Sequence, residues 1–346
     1  MENQQNKNIY LDKNESYYFL NPSILSELRS FNEAVVTTYP NIEELKELIS
    51  KHSGHPFQKI LPCHGSEQSI RLTIMSLFKT EDKVVLLSPT FVAFDYALEY
   101  AGIKPVVISY EEDQSRYVAP IEKIISSINA DTKCLMLCNP SNPLGCVINE
   151  DDLLKIIQHA QKFNTLVIVD EVYSKFSGIS CNELVKKFDN LIIFRSFSKE
   201  YGLAGVRLGY IIATPEIIKR LDNTRRMFWP ISHFALHALK VILKHLDHFD
   251  TQIQNTKHIR DELITFLRQL GLKCYDSETN FFIVKSKKKK EIMEYLASKR
   301  IFVGEVNYFK HGEYLLQDAF RISVPSFEDK EKLIEHFLSL KDNGII

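Results

Sequence analysis

Short apolar runs alternate with helical patterns through the middle of the chain, and this alternation constrains the fold more than any other feature. Six runs are predicted to be strands: 83–87, 105–110, 133–138, 166–169, 191–195 and 210–213. Most are apolar almost without interruption, as is typical of strands that are covered on both faces. The segments 68–78 and 151–163 instead repeat apolar residues at the i, i+3, i+4 and i+7 spacing of a helix. The pattern predicts an α/β fold with a parallel sheet and right-handed crossovers.

The pattern of predicted strands and helices changes near residue 225. A long helical stretch extends to about residue 270, and it is followed by a strand at 281–285, a helix at 290–299, two further strands and a terminal helix at 327–340. This part of the chain predicts a second, smaller α+β domain. The length of 346 residues is enough for two domains of ordinary size.

The charge and the cysteine content exclude several classes of protein. The 43 Lys and Arg residues stand against 44 Asp and Glu residues, so a net charge of −1 gives no general attraction to nucleic acid or anionic membranes. The six cysteines form no C-x-x-C pair and no zinc-like grouping with histidine, so no metal is predicted. The first eight residues are polar, and no stretch of about 18 apolar residues occurs. These features predict a reduced, cytoplasmic protein.

A lysine at the end of a predicted strand is the strongest chemical signal. Lys199 directly follows the strand at 191–195 and stands beside Ser196 and Ser198, and Arg207 lies eight positions further on. The carboxyl end of such a strand faces the crevice where open α/β sheets bind ligands. A neutral lysine amine can form a Schiff base with a carbonyl group. The two hydroxyl groups and the guanidinium are suitable donors to a phosphate.

Two other strand ends carry polar groups that suit the same crevice. Asp170 ends a fully apolar strand, so its carboxylate needs a cationic partner, and a protonated pyridine nitrogen would serve. Tyr173 follows three residues later and can donate its hydroxyl. The segment 138–145 is a turn rich in Asn and Pro, from which the amide of Asn142 can point into the mouth of the sheet.

Taken in order, these motifs resemble the fold-type-I pyridoxal-phosphate aminotransferases. The matching patterns are Asn-Pro…Asn-Pro-x-Gly, Asp-Glu-x-Tyr, Ser-x-Ser-Lys and Gly-x-x-Gly-x-Arg-x-Gly, and within the family the chain most resembles the histidinol-phosphate aminotransferase branch. The similarity extends from 11–15 through 276–281 to 320–324. A dinucleotide-binding fold is excluded because no G-x-G-x-x-G follows the first strand.

The resemblance implies a fold and a domain organisation. A large domain over 30–230 would hold a mostly parallel seven-stranded sheet flanked by helices. A smaller α+β domain would combine 1–29, which includes the N-terminal arm, with 231–346. The resemblance also implies a homodimer with shared active sites.

The same resemblance implies a role for each site residue. Lys199 would bind pyridoxal 5'-phosphate as a Schiff base and move a proton, Asp170 would pair with the pyridinium nitrogen, and the catalytic Tyr173 would hydrogen-bond the ring 3-oxygen. The other cofactor-binding residues would be Ser66 and Glu67 through their backbone N–H groups, Phe91 on the ring face, Asn142 at the ring 3-oxygen, Ser196, Ser198 and Arg207 at the phosphate, and Tyr39 at the neighbouring subunit's phosphate. Arg321 would bind the substrate carboxylate, and Asn14 belongs to the arm beside it.

One departure from the branch concerns the substrate. Gly304 stands where histidinol-phosphate enzymes commonly have an arginine for the substrate phosphate, and Glu305 follows it. Aromatic residues that can provide an apolar surface instead are Tyr308, Phe309, Tyr17, Tyr18 and Phe19. The sequence therefore predicts a non-phosphorylated amino donor, with 2-oxoglutarate or another 2-keto acid as the acceptor.

Three other functions stay open at this point. The first is a decarboxylase on the same scaffold, similar to threonine-phosphate decarboxylase, since the same lysine and aspartate serve that reaction. The second is a histidinol-phosphate aminotransferase in the strict sense. The third is a cofactor-sensing regulator, which would need a DNA-binding module in addition and a more basic chain.

Overall fold

The computed structural model describes residues 8–16, 20–228 and 231–346 and contains fourteen strands. These are β1 (Ile9–Leu11), β2 (Ile60–Cys63), β3 (Lys83–Ser88), β4 (Val106–Ser109), β5 (Glu111–Asp113), β6 (Arg116–Val118), β7 (Thr132–Cys138), β8 (Leu166–Asp170), β9 (Leu191–Ser196), β10 (Gly209–Ile212), β11 (Lys273–Cys274), β12 (Phe281–Lys285), β13 (Ile301–Glu305) and β14 (Ala319–Ser323). Seven of them form one sheet in the order β2-β10-β9-β8-β7-β3-β4, and β5 pairs with β6 in a separate hairpin. In the large sheet β10 runs antiparallel to both of its neighbours, and the other pairs are parallel. The predicted α/β fold with a mostly parallel sheet is confirmed.

The helices lie around the two larger sheets. They are α1 (Pro22–Arg29), α2 (Ala34–Thr37), α3 (Ile42–Ser53), α4 (Gly65–Leu77), α5 (Val92–Tyr100), α6 (Ile121–Ser127), α7 (Glu150–Gln161), α8 (Ser174–Ser177), α9 (Phe197–Glu200), α10 (Pro215–Arg225), α11 (His233–Ile242), α12 (Leu246–Gln269), α13 (Lys289–Ser298) and α14 (Phe327–Asp342). None of the helices that the structure describes is long and apolar enough to cross a membrane.

The six predicted strands are all present, and no end differs from its prediction by more than one residue. The sequence analysis did not identify β2, which forms one edge of the large sheet. Only four residues long, this strand contains Pro62, and a proline normally argues against a strand. It is accepted here because an edge strand has one side without a ladder of hydrogen bonds.

The large sheet separates two hydrophobic cores. On the buried strand β8, Val167 and Val169 point into one core, and Ile168 points into the other. Strand β9 alternates in the same way, with Ile193 on the first side and Ile192 on the second. This alternation explains why the strands are apolar almost without a break, since neither face is open to water.

A second sheet has five strands in the order β1-β13-β14-β12-β11. Strand β1 runs parallel to β13, with Ile9 opposite Ile301, so residues 9–11 join the sheet that the last third of the chain builds. A separate core covers this sheet, and residues of α12, α13 and α14 pack into it. The predicted domain limits at 29/30 and 230/231 stay a prediction. Ile24, Leu28 and Leu236, which flank those limits, pack into a core of the large sheet.

Candidate active site

A cavity of about 280 Å³ opens at the carboxyl ends of β7, β8 and β9. Twelve of the thirteen predicted site residues line it: Asn14, Ser66, Glu67, Phe91, Asn142, Asp170, Tyr173, Ser196, Ser198, Lys199, Arg207 and Arg321. Most of this convergence follows from topology, because parallel neighbouring strands end at the same edge of a sheet, whereas Asn14 and Arg321 reach the cavity from the five-stranded sheet.

Lys199 lies on the short helix α9, which begins directly after β9. Its Nζ donates a hydrogen bond to the carbonyl oxygen of Lys13 at 2.7 Å. Desolvation, helped by the positive charges of Arg321 and Arg207 and opposed by Glu15, lowers the pKa of Lys199 to about 7. Much of this amine is therefore neutral near pH 7, as a nucleophile that attacks a carbonyl carbon must be.

Asp170 is the buried carboxyl group of the site, with 2% of its surface exposed. Its Oδ1 accepts a hydrogen bond from the backbone N–H of Val172 at 3.2 Å. Burial, helped by the neighbouring charge of Glu171 and opposed by the hydrogen bond from Val172, raises the pKa of Asp170 to about 7. A cation placed against this carboxyl would favour its ionised form, so the site suits a protonated ring nitrogen.

Serine hydroxyls and a helix N-terminus form another wall of the cavity. Ser66 and Glu67 are in the first turn of α4, where backbone N–H groups point outward and favour an anion. Gly65, which opens that helix, has φ +71°, and a Cβ there would lie 3.0 Å from Nη2 of Arg207. Glycine thus lets the guanidinium lie against the helix end. The buried Oγ of Ser198 has no hydrogen-bond partner among the described residues.

On the substrate side, residues from distant parts of the chain are held together by hydrogen bonds. Asn14 Nδ2 donates to the hydroxyl of Tyr173 at 3.0 Å. The two terminal nitrogens of Arg321 donate to Asn142 Oδ1 and to the carbonyl oxygen of Asp12, each at 2.8 Å. The arginine guanidinium also lies over the ring of Phe281, at 5.2 Å from the ring centroid.

Other predicted residues lie as follows. Tyr39 does not line the cavity, and 77% of its surface is exposed. Tyr308 and Phe309 do line it, with their rings stacked at 4.5 Å. Glu305 is exposed and forms an ion pair with Lys289, so it does not face the cavity. Tyr17, Tyr18 and Phe19 lie outside the described residues.

Sequence reasoning missed some contributors to the site. Asp12 and Lys13 hold Arg321 and Lys199 through their backbone carbonyl oxygens, and a carbonyl contact leaves no mark on the choice of side chain. Cys138 and Val172 also line the cavity. In the sequence they stand next to or near Asn139 and Asp170 of the predicted motifs. That nearness to a motif was the only sign in the sequence that they line the cavity.

The donor set matches one cofactor in three places. A lysine with a lowered pKa suits an aldehyde carbon, a buried carboxyl suits a pyridinium nitrogen, and a serine hydroxyl without a partner among the described residues, beside a helix N-terminus, suits a phosphate. The fold and this site define a pyridoxal-phosphate enzyme of fold type I.

Comparisons with known proteins agree with this class. The family model described as aminotransferase class I and II matches residues 6–337. A histidinol-phosphate aminotransferase of Ruminiclostridium cellulolyticum is 29% identical over 345 residues, 98% of this chain and 94% of the relative. One from Thermoanaerobacter sp. strain X514 is 31% identical over 331 residues, 94% of this chain and 90% of the relative. The solved structure of the Sinorhizobium meliloti histidinol-phosphate aminotransferase in complex with pyridoxal 5'-phosphate shares the fold, with a TM-score of 0.82, 23% identity, and coverage of 96% of this chain and 91% of that one.

The chain therefore belongs to the class I and II aminotransferases. It is a pyridoxal-phosphate-dependent aminotransferase, and neither the decarboxylase nor the regulator alternative is favoured.

Proposed function

We propose that the predicted site residues act in transamination as follows. Lys199 binds the cofactor covalently through Nζ and moves a proton between the substrate Cα and the cofactor C4′. Asp170 holds the ring nitrogen in its protonated form. When bound, pyridoxal phosphate supplies an electron sink for the negative charge that develops at the substrate Cα.

The remaining polar groups orient the cofactor. Ser196, Ser198 and Arg207 donate to its phosphate, together with the backbone N–H groups of Ser66 and Glu67. Asn142 and Tyr173 donate to the ring 3-oxygen. The half-buried ring of Phe91 lies on a face of the pyridine ring, where stacking needs no hydroxyl group.

The proposed amino donor is a free amino acid whose carboxylate binds Arg321. A guanidinium already held by Asn142 and Asp12 is fixed in orientation, and it can offer a forked pair of donors to a carboxylate. The acceptor is 2-oxoglutarate or another 2-keto acid, whose carboxylate binds the same group in the reverse half-reaction.

The observation that carries the choice of donor is the environment of Gly304. This residue lies on β13 opposite Arg321, and a Cβ there would lie 3.1 Å from the carbonyl oxygen of Asp12. Asp12, in the N-terminal arm that follows β1, thus covers the place where the histidinol-phosphate branch commonly has its phosphate-binding arginine. Another arginine could replace the missing positive charge for a substrate phosphate, and Arg225 and Arg226 are the candidates in the sequence. They do not supply it, because both pair with Asp222 and neither lines the cavity.

Histidinol phosphate is the second candidate donor, and the names of the relatives favour it. The two candidates are separated by comparing kcat/KM for histidinol phosphate with that for phenylalanine, tyrosine and other free amino acids. Loss of a phosphate-binding arginine corresponds to about 2–3 kcal/mol, so we expect a preference of about 100-fold for a free amino acid.

A clear preference for histidinol phosphate would contradict the proposal. Lys13, an exposed cation at the cavity, would then be the group that binds the phosphate. The variant Lys13→Ala keeps the backbone carbonyl and serves as the matched control. It should leave kcat/KM for free amino acids unchanged, whereas the alternative requires it to weaken histidinol phosphate alone.

A symmetric homodimer completes the proposal. Tyr39 is exposed and outside the cavity of its own chain, and the exposed apolar side chains Val36, Met227 and Phe228 favour burial against a second copy. Tyr39 of each copy would donate to the phosphate in the other. Sedimentation should show a dimer at assay concentration, and a fully active monomer would contradict the idea. A cytoplasmic location stays a prediction.

A further inference from the structure

Four side chains next to the cavity residues form a cluster behind the active site. Glu171 follows Asp170, Ser174 follows Tyr173, Glu200 follows Lys199, and Arg195 precedes Ser196. None of the four lines the cavity. Arg195 lies on β9, where successive side chains point to opposite faces, so its side chain is directed away from the cavity that the next residue, Ser196, lines.

Arg195 forms the centre of this cluster. Its Nη1 donates to Ser174 Oγ at 2.6 Å, and its Nη2 donates to Ser180 Oγ at 2.7 Å. The same Nη2 lies 2.7 Å from Glu171 Oε2, which also accepts a hydrogen bond from Ser180 Oγ at 3.0 Å. One guanidinium therefore joins the end of β9 to the segment that follows β8.

Glu200 extends the cluster to the helix that carries Lys199. Ser174 Oγ accepts from Arg195 and donates to Glu200 Oε1 at 3.0 Å. The backbone N–H of Lys175 donates to the same oxygen at 2.8 Å. The hydrogen bonds thus continue from Arg195 through Ser174 to the residue directly after Lys199.

Burial makes this arrangement costly unless each group has a partner. Glu171 and Glu200 are 0% and 4% exposed, and the Arg195 side chain is 13% exposed. Buried ion pairs contribute little net stability compared with apolar packing, whereas they fix one geometry well. Burial raises the pKa of Glu200 and also that of Asp170, and in both cases the positive charge of Arg195 opposes the rise.

We propose that Arg195 is a positioning residue, whose fork of hydrogen bonds through Glu171, Ser174 and Glu200 aims Asp170 and Lys199 into one cavity at the spacing that the cofactor requires. The inference rests on the roles proposed above for Asp170 and Lys199. It makes Arg195 and Glu200 determinants of how the cofactor is oriented, although neither touches the cavity.

The first test compares Arg195→Lys with the wild-type chain. Lysine keeps the positive charge and loses the fork. We expect the dissociation constant for pyridoxal phosphate to rise about tenfold, in line with the usual cost of losing a residue that orients a binding group. The visible circular dichroism of the bound cofactor, which reports ring orientation, should lose intensity. The KM for the amino donor at saturating cofactor should stay within about twofold, since Arg321 keeps its contacts.

Arg260→Lys is the matched control. Arg260 is also buried, at 3% exposed, but it donates to Asp261 and to the carbonyl oxygen of Thr279 and does not line the cavity. It should lower the melting temperature without changing the cofactor affinity or the dichroism band. If Arg195→Lys behaves like Arg260→Lys in both measurements, the positioning role is wrong.

A second pair of variants tests the proposal even if Arg195→Lys fails to fold. Glu200→Ala leaves the donors of Ser174 and Lys175 without their acceptor, whereas the amide oxygen of Glu200→Gln still accepts from both. We expect Glu200→Ala to weaken cofactor binding and Glu200→Gln to restore it to within about twofold of the wild type. Equal losses in the two variants would overturn the inference.

The proposed function has a separate readout. Borohydride reduction of the wild-type holoenzyme, followed by peptide mass spectrometry, locates the cofactor. If it is not on Lys199, the proposed roles fail. If it is on Lys199 and the Arg195 and Glu200 variants bind it as the wild type does, only the positioning role fails.

Discussion

The two ends of the cavity are built in different ways. The cofactor end uses side chains at or just after the ends of neighbouring strands of one sheet, such as Asp170 at the end of β8 and Ser196 at the end of β9. The substrate end joins the N-terminal arm to the last strand of the small sheet, with Asn14 and Ser323 hydrogen-bonded across 309 positions of sequence. The first end belongs to a single sheet, and the second depends on how two sheets meet.

The difference indicates which changes the protein tolerates. At the cofactor end, the hydrogen bonds behind β8 and β9 join the strand ends to each other, so a change there disturbs the whole group. At the substrate end, Arg321 is held by a side-chain amide and by the backbone of the arm. Substrate preference can therefore change through the arm and the loop after β13 while the cofactor site stays intact.

Lys199→Ala should give the largest effect, because it removes the only amine proposed to bind the cofactor and carry the proton. We expect turnover to fall by at least about 10³-fold and the adduct trapped by borohydride to disappear. Lys13→Ala is the control, since it keeps the carbonyl that accepts from Lys199. A covalent adduct that persists in Lys199→Ala would show that another lysine binds the cofactor.

Arg321→Lys should damage the substrate end alone. A lysine provides one charge without the fork that holds Asn142, Asp12 and a carboxylate, so kcat/KM for the amino donor and for the keto acid should both fall about 100-fold. The dissociation constant of the cofactor should stay unchanged. If cofactor affinity falls by the same factor, the two ends are not independent and the comparison is wrong.

The pH dependence of cofactor capture should show how the substrate end of the cavity influences the cofactor end. In cofactor-free protein the neutral form of Lys199 attacks the aldehyde, so the capture rate should rise with pH around the pKa of about 7. Arg321→Gln removes a positive neighbour and raises that pKa. For a rise of one pKa unit the neutral fraction at pH 7 falls from about one half to about one tenth, so capture should slow by about fivefold.

Stopped-flow absorbance measures this rate across the pH range. Asp170 also has a pKa of about 7, so Asp170→Asn is the control for its titration. If the pH midpoint of the capture rate stays unchanged in Arg321→Gln, the charge of Arg321 does not influence the pKa of the Lys199 amine.

His311→Gln should have the smallest effect. His311 lies on the loop that carries Tyr308 and Phe309 into the cavity, and its Nε2 is 3.8 Å from the buried carboxylate of Asp95 on α5. The histidine is 42% exposed, and such pairs contribute little. We expect the KM for the amino donor to rise about twofold, with no change in cofactor affinity. A larger change in cofactor affinity than in KM would place this loop with the cofactor end.

Much of the cofactor end could be predicted from the sequence alone. Asp170, Ser196 and Lys199 follow apolar runs, and the ends of parallel strands meet at one edge of the sheet whatever the rest of the fold does. The family resemblance implied Ser66 and Glu67, and their place fits that role because a helix N-terminus binds phosphate through its backbone. The family motifs gave these positions their roles.

The tertiary structure alone decided which backbone atoms hold the substrate end and how the cluster behind the strands forms. The contacts of Lys199 with Lys13, of Arg321 with Asp12, and of Gly304 with Asp12 involve backbone atoms, which every residue possesses. Arg195, Ser174 and Glu200 look like ordinary polar residues until the fold brings them together. The pattern of apolar runs and the order of the strands determine at which edge of the sheet the functional side chains gather. Which distant backbone atoms and buried charges hold those groups depends on the packing of two sheets, which no short stretch of sequence encodes.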